Sequence, residues 1–383
     1  MNRFSFKYAP QLKWKLAEYS ALGALSDRDG PEVLPIFKLP PSGSYDFEAK
    51  KPLAATEHIK TFGDRLFKHW GNRIAVVDAG LLEPKTEIVG LENHPLWQVY
   101  QRTKVSGSKV APCCQLTSTQ GYLDATKAII REDQNMPLVV RILLSDIENG
   151  LTLEALSNFV GQLECSPERT VLLFDAGPIN SRMNVEFAEL VASAIVRLCP
   201  PQFWHGIIWS ATGFPSDFGL KPGQTGEYPR VEKDVYELIY DQLRGSKTEV
   251  CYSDYSVEYP GNYEPAKGPI PASAHLRYTT PTSYIVVKGV QCKNPVGYEA
   301  IKPVAKTLIE HPSFKGGPFS DGDRLFEFLG TSETYSGGPT TWRKAANQHH
   351  LALLLSETKT RLGDKYKPSR ASSKIGQLAL DTV

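Results

Sequence analysis

Apolar residues along the 383-residue chain follow two alternating rhythms. Runs rich in Val, Ile, Leu and aromatics recur as YAPQLKWK, VLPIFKL, IAVVDAG, VAPCCQL, LVVRILL, VLLFDAG, GIIWSAT and VCYSDYS. Most are apolar on both faces, as parallel strands covered by layers on either side must be. Between them, apolar residues return at helical spacing. Leu153, Leu156, Phe159, Val160 and Leu163 form one such stripe, and Val231, Val235, Leu238, Ile239 and Leu243 another. A third holds Phe187, Leu190, Val191, Ala194, Ile195 and Leu198, with Asn184 placed to cap it.

Eight alternations of strand and helix predict the α/β class and a (β/α)8 TIM-like barrel with a C-terminal hairpin and helix extension. Equivalent late-strand positions are Lys13, Lys38, Asp78, Gln115, Arg141, Asp175, Ser210 and Asp254. A doubly wound open sheet is the rival topology, but it rarely needs eight such units. The barrel is assigned residues 1–312, with strand eight ending near Ser256. A Pro/Gly-rich loop and a β-hairpin, turned at Thr280 and Pro281, are read as an insertion over about 257–292 before the eighth helix in GYEAIKPVAKTLIEH. Residues 313–355, with a helix expected in DGDRLFEFLG, are read as an extension packed on the barrel. The polar stretch 356–383 is read as a flexible tail.

Composition adds exclusions. Hydrophobic content of 41% and charged content of 22% are those of a soluble globular protein. A formal net charge of +1 supplies no global field for nucleic acid or an anionic membrane, and leaves room for a local basic site. No run approaches the roughly 20 apolar residues that span a bilayer. MNRFSFKYAPQLKWK has interleaved charges and is not expected to be a signal peptide. The six cysteines, at 113, 114, 165, 199, 251 and 292, form no C-x-x-C pair and read as reduced thiols of a cytoplasmic protein.

Candidate chemistry follows from the barrel. Its strands release their carboxyl ends at one mouth. Asp-Ala-Gly closes two apolar runs, at Asp78 and Asp175, and Asp254 follows the last. Alternation places Asp78 with Ile74 and Val76, Asp175 with Val171 and Leu173, and Lys13 with Lys15. Arg141, alone inside LVVRILL, needs a partner from another strand. Asp78, Asp175 and Asp254 are therefore candidates for base or metal ligand, and Lys13, Lys15, Arg141 and Arg277 for holding phosphate. Mg²⁺ suits these carboxylates better than zinc. Plainer readings stay open: turn or cap acids for Asp78 and Asp175, a structural ion pair for Arg141, a solvated lysine for Lys38. His349 and His350 are adjacent without a metal-ligand spacing, so site and packing roles both remain. No phosphate loop, nucleophile elbow or dinucleotide fingerprint is present.

The motifs Tyr8, Pro10, Leu12, Lys13, Lys15 and Glu18, then Pro35 and Phe37, resemble the opening of the phage Beta protein family. Ser253-Asp254-Tyr255, Arg277-Tyr278-Thr279, Lys288-Gly289, and Thr341-Trp342-Arg343 with His349 and His350 are similar to later motifs in the same order. The resemblance departs at position 38, where Lys stands in place of the usual Glu. It adds Tyr255, Trp342, Arg343, His349 and His350 to the candidate binding residues. It implies a role in antiviral defence, with other proteins of a defence locus or a phage component as partners. Two functions stay open. One is action on a nucleotide or nucleic acid at the barrel rim; the other is a non-catalytic sensor or partner-binding module.

Overall fold

The structure is a computed structural model that describes residues 4–25, 29–46, 48–83, 90–180, 185–261, 272–293 and 295–361. Eight parallel strands lie in chain order: Gln11–Lys13, Ile36–Lys38, Ile74–Asp78, Lys109–Gln115, Leu138–Leu143, Thr170–Pro178, Gly206–Thr212 and Cys251–Ser253. The last returns to the first. Tyr8 bridges Tyr252 in parallel, and the amides of Ala9 and Gln11 donate to the carbonyls of Tyr252 (3.0 Å) and Asp254 (2.7 Å). The sheet is thus a (β/α)8 barrel, as the alternation predicted. Alternate residues point inward and pack as one apolar core of Ile36, Val76, Ala111, Cys113, Val139, Val171, Leu173, Ile208 and Cys251.

The helical stripes fold as expected at Leu153–Gln162, Val185–Leu198 and Val231–Leu243. Thr152 caps the first by accepting from the Ala155 amide at 3.1 Å. Asn184, the expected cap of the second, lies outside the described residues.

Contacts divide the chain into two units, Met1–Trp14, Pro31–Gly213 and Val231–Tyr255 in the first, and Lys15–Gly30, Phe214–Arg230 and Ser256–Val383 in the second. The expected boundary at 312 falls within the second of these units. The hairpin forms as expected, Ser273–Thr279 against Ser283–Gln291, with the Thr280 amide donating to the Ser283 carbonyl at 2.7 Å. It is not a mere insertion, because Thr225–Pro229 from the seventh βα connection adds a third antiparallel strand. One hairpin face buries Ala274, Leu276 and Tyr278 with Ile301, Val304 and Leu308 of the helix Ile301–Ile309. That packing draws the intended eighth barrel helix into the second unit.

The helix Asp321–Thr331, capped by Ser320, approaches the helix Pro339–Arg361 at Gly322, where a Cβ would collide with the Ala345 carbonyl. Ser356 to Arg361, read as the start of a tail, continue this last helix. The remainder of that stretch lies outside the described residues. No helix among the described residues is long and apolar enough to cross a membrane.

Candidate functional site

The barrel interior changes character at its C-terminal end. Parallel register sets Lys13, Lys38 and Asp78 level across strands one to three, and Asp175, Ser210 and Ser253 level across strands six to eight. All but Lys13 share their face with the apolar residue two positions earlier, so a polar layer caps an apolar one. Gln11 joins it from strand one by donating to the Ser210 hydroxyl at 2.6 Å, and Ser253 donates to the same oxygen at 2.9 Å.

Arg141 is the centre of this layer. Its Nη1 donates to Gln11 Oε1 at 2.7 Å and to Asp175 Oδ2, and its Nη2 donates to Asp78 Oδ2 at 3.1 Å. The Tyr255 hydroxyl donates to Asp175 Oδ1 at 2.8 Å. Each acid also turns the chain. The Gly80 amide donates to Asp78 Oδ1 at 3.1 Å, and the Gly177 amide to Asp175 Oδ1 at 3.0 Å. Gly177 has φ +62°, a left-handed turn that favours glycine, so the Asp-Ala-Gly ending is a turn and an ion-pair site at once.

Burial opposes the charge on Arg141, but Cys113, Asp175 and Asp78, in that order, act against it, and its pKa stands well above the ordinary arginine value. Burial, and then Asp175, keeps the Tyr255 phenol protonated and able to donate. The Cys113 thiol beneath them is pushed up to about 12, chiefly by burial.

A cavity of about 440 Å³ opens here, lined among others by Lys38, Gln115, Arg141, Ser145, Asp175 and Tyr255. Lys38 has no hydrogen bond or ion pair to its ammonium group among the described residues. Among the described residues no group of three or more His, Cys, Asp or Glu side chains is placed to hold a metal ion. Asp78 and Asp175 instead close on a guanidinium, and the remaining Asp78 and Asp175 oxygens accept from backbone amides or Tyr255. This donor set fits Arg141, not Mg²⁺.

The structure brings Lys13, Asp78, Arg141, Asp175 and Tyr255 to the rim and sends the other candidates elsewhere. Asp254 is buried and accepts from the Tyr8 hydroxyl. Ser253, one residue earlier, takes the inward position expected for it. Lys15 lies beyond the end of strand one as the N-terminal cap residue of the helix Leu16–Leu22, so it does not continue the face of Lys13.

Arg277 and Arg343 both pair with Glu258 in the second unit. There Trp342 is buried and donates its indole N–H to the Ser336 carbonyl at 2.8 Å. His349 Nδ1 meets Asp323 Oδ2 at 2.8 Å, its Nε2 donates to the Thr279 carbonyl at 2.7 Å, and its ring stacks on Tyr278. His350 Nδ1 meets Thr279 Oγ1 at 2.8 Å. Both histidines are fully buried, which is the packing role left open for them.

Gln11 and Ser210, which position Arg141, and Glu258 were missed. Gln11 had a signal, lying two residues before Lys13 on the same strand face.

Solved structures offer fold likeness only. The catalytic domain of a chitinase from Pyrococcus furiosus is 13% identical, over 66% of this chain and 84% of that one, with a TM-score of 0.36. A putative fructose-1,6-biphosphate aldolase from Coccidioides immitis is 10% identical over 93% of this chain and 92% of that one, with a TM-score of 0.37. Triosephosphate isomerase from Bartonella henselae is 10% identical over 66% and 93%, with a TM-score of 0.33. No curated protein sequence matches the chain significantly. The Beta protein family model matches residues 8–356, nearly the whole length, and the chain belongs to that family.

Proposed function

We propose that the barrel rim binds a phosphate-bearing ligand of nucleotide size, and that the chain serves antiviral defence in the cytoplasm through this binding. The observation that carries the reading is Lys38, an ammonium group with no partner among the described residues, lining an open cavity. Arg141 is already met by Asp78 and Asp175, so Lys38 is the cation left to face the cavity among its described lining residues. A pocket of about 440 Å³ falls within the usual range for small-molecule sites. It also lies at the end of the barrel where such sites form. The defence setting rests on the family resemblance.

Binding without turnover is the better-supported form. Asp78 and Asp175 are engaged by Arg141, Tyr255 and backbone amides, and a carboxylate so engaged is a poor base and a poor metal ligand.

Calorimetric titration with nucleoside mono-, di- and triphosphates, followed by chromatography of the mixtures, tests the reading. Saturable binding without product formation is expected. Lys38→Ala should weaken it by about tenfold, the worth of one charge-assisted hydrogen bond. The same variant should reduce phage protection at an unchanged protein level. Lys38→Ala binding like the parent, or no binding by any nucleotide, overturns the proposal; a released product would replace the sensor with an enzyme.

A further inference from the structure

The cavity at the barrel rim is chemically lopsided. Its charged lining residues are Lys38, Arg141 and Asp175, and the rest of its described lining is neutral. Arg141 and Asp175 are paired with each other, which leaves Lys38 at one side of the opening. An anion finds its partner there and nowhere else on the described wall.

Gln115 marks the neutral side. It ends strand four, two residues beyond Cys113, which packs in the barrel core. The same parity turns Gln115 inward, where it lines the cavity half-buried. Register sets it level with Arg141 on strand five. The Arg141 guanidinium nevertheless bonds Gln11, Asp175 and Asp78, and leaves Gln115 alone. The Gln115 backbone amide donates to the Ser118 hydroxyl at 2.9 Å. Its carboxamide has no hydrogen-bond partner among the described residues. A carboxamide carries an N–H donor and a carbonyl acceptor side by side. Leu143, at the end of the next strand, and Leu144 after it add a half-buried aliphatic wall to the same cavity.

The interval between the two sides follows from the register. Lys38 is level with Asp78, and Val77 with Pro112, so Cys113 stands at the level of Lys38. Gln115 is two strands across and two residues further out. At about 4.8 Å per strand and about 3.3 Å per residue, the two backbones are about 12 Å apart. Such a cavity suits a ligand with one anionic end and one flat, neutral, hydrogen-bonding end.

We propose that Gln115 binds the base of a nucleotide whose phosphate is held by Lys38, and so separates nucleotides from other phosphate esters. The proposal rests on the reading of the rim as a phosphate site and names the ligand's other end. Glutamine bonds a base edge in pairs, as it does adenine, and Leu143 and Leu144 cover the ring. A sugar phosphate brings hydroxyls to this side but no flat edge with donor and acceptor together. A second phosphate there would meet no cation.

The test is a calorimetric titration of the full-length chain with the four nucleoside monophosphates and with ribose 5-phosphate. The best-bound nucleotide should bind at least tenfold more tightly than ribose 5-phosphate. Gln115→Leu keeps the bulk and removes both bonding groups. It should weaken that nucleotide about tenfold and leave ribose 5-phosphate within about twofold. Lys38→Ala should weaken both ligands alike, since both carry the phosphate. The Gln115 side chain bonds nothing in the fold, so the leucine variant should melt as the parent does; Gln115→Met serves in its place if it does not. Ribose 5-phosphate binding as tightly as every nucleotide, or a Gln115 variant that binds nucleotide as the parent does, overturns the base site and leaves the phosphate reading standing. Binding by none of the ligands, or ligands indifferent to Lys38→Ala, overturns the reading of the rim and this inference with it.

Discussion

Arg141→Met puts the barrel layer to its strictest test. The guanidinium is 4% exposed and lies against Asp175 and Asp78, which are 4% and 10% exposed. Its removal leaves two buried carboxylates with no ion-pair partner among the described residues. Breaking a buried ion pair from one side costs about 3–5 kcal/mol. A domain holds only about 5–15 kcal/mol in total, so the variant should stand near the edge of folding at pH 7.

Neutralising the acids should reverse much of this. Arg141→Met with Asp78→Asn and Asp175→Asn keeps carbonyl acceptors for the amides of Gly80 and Gly177 and removes both charges. Such replacements of a buried charge network are often neutral in stability. Urea unfolding followed by tryptophan fluorescence suits the measurement, because Trp14, Trp70, Trp97, Trp204 and Trp209 lie in the barrel unit and only Trp342 in the other. We expect the single variant to lose about 3–5 kcal/mol and the triple variant to recover at least half of it. A single variant as stable as the parent, or a triple variant no better than the single, would refute the account of the layer.

Two further outcomes follow from burial. The folded-state pKa of Glu18 lies above its ordinary value of 4.5, so the native state holds a proton that the unfolded state has lost. Its contribution to stability is therefore fully present below pH 4.5 and is lost as pH rises through about 7. Glu18→Gln should remove up to about 3 kcal/mol of that decline, read by urea unfolding at pH 5 and pH 8; an unchanged slope argues against a buried, unsatisfied carboxyl. Cys113, Cys114, Cys165, Cys199 and Cys251 are buried and Cys292 is partly exposed. An aromatic disulfide reagent should modify one thiol quickly in the native chain and all six in urea; rapid native reaction of two or more would contradict the packing of the barrel interior.

Strand and helix periods were enough to read the barrel, because buried parallel strands must be apolar on both faces and the amphipathic helices between them cannot. They were silent on the division into two units. That division depends on Thr225–Pro229 pairing with Ser283–Gln291, a contact between distant segments that leaves no local period.

The rim was legible where parity could be counted from a core residue. Val76 faces inward, hence Asp78; Leu173 faces inward, hence Asp175; and Arg141 follows Val139. The same count from Cys251 leads to Ser253, not Asp254. The misplacement came from following the charge rather than the phase, and a slip of one residue turns a side chain to the other face of a strand. Lys15 failed for a related reason, since strand alternation ends where the backbone turns into a helix. Glu18 and Glu258 were beyond reach, because a carboxyl buried near arginines from distant segments, Arg277 and Arg343, has no signature in its own neighbourhood. Charges that sit at inward phase on a barrel strand are therefore the ones a sequence can assign to the rim, and Lys38, one strand from Asp78 at the same level, meets that criterion as fully as Arg141 does.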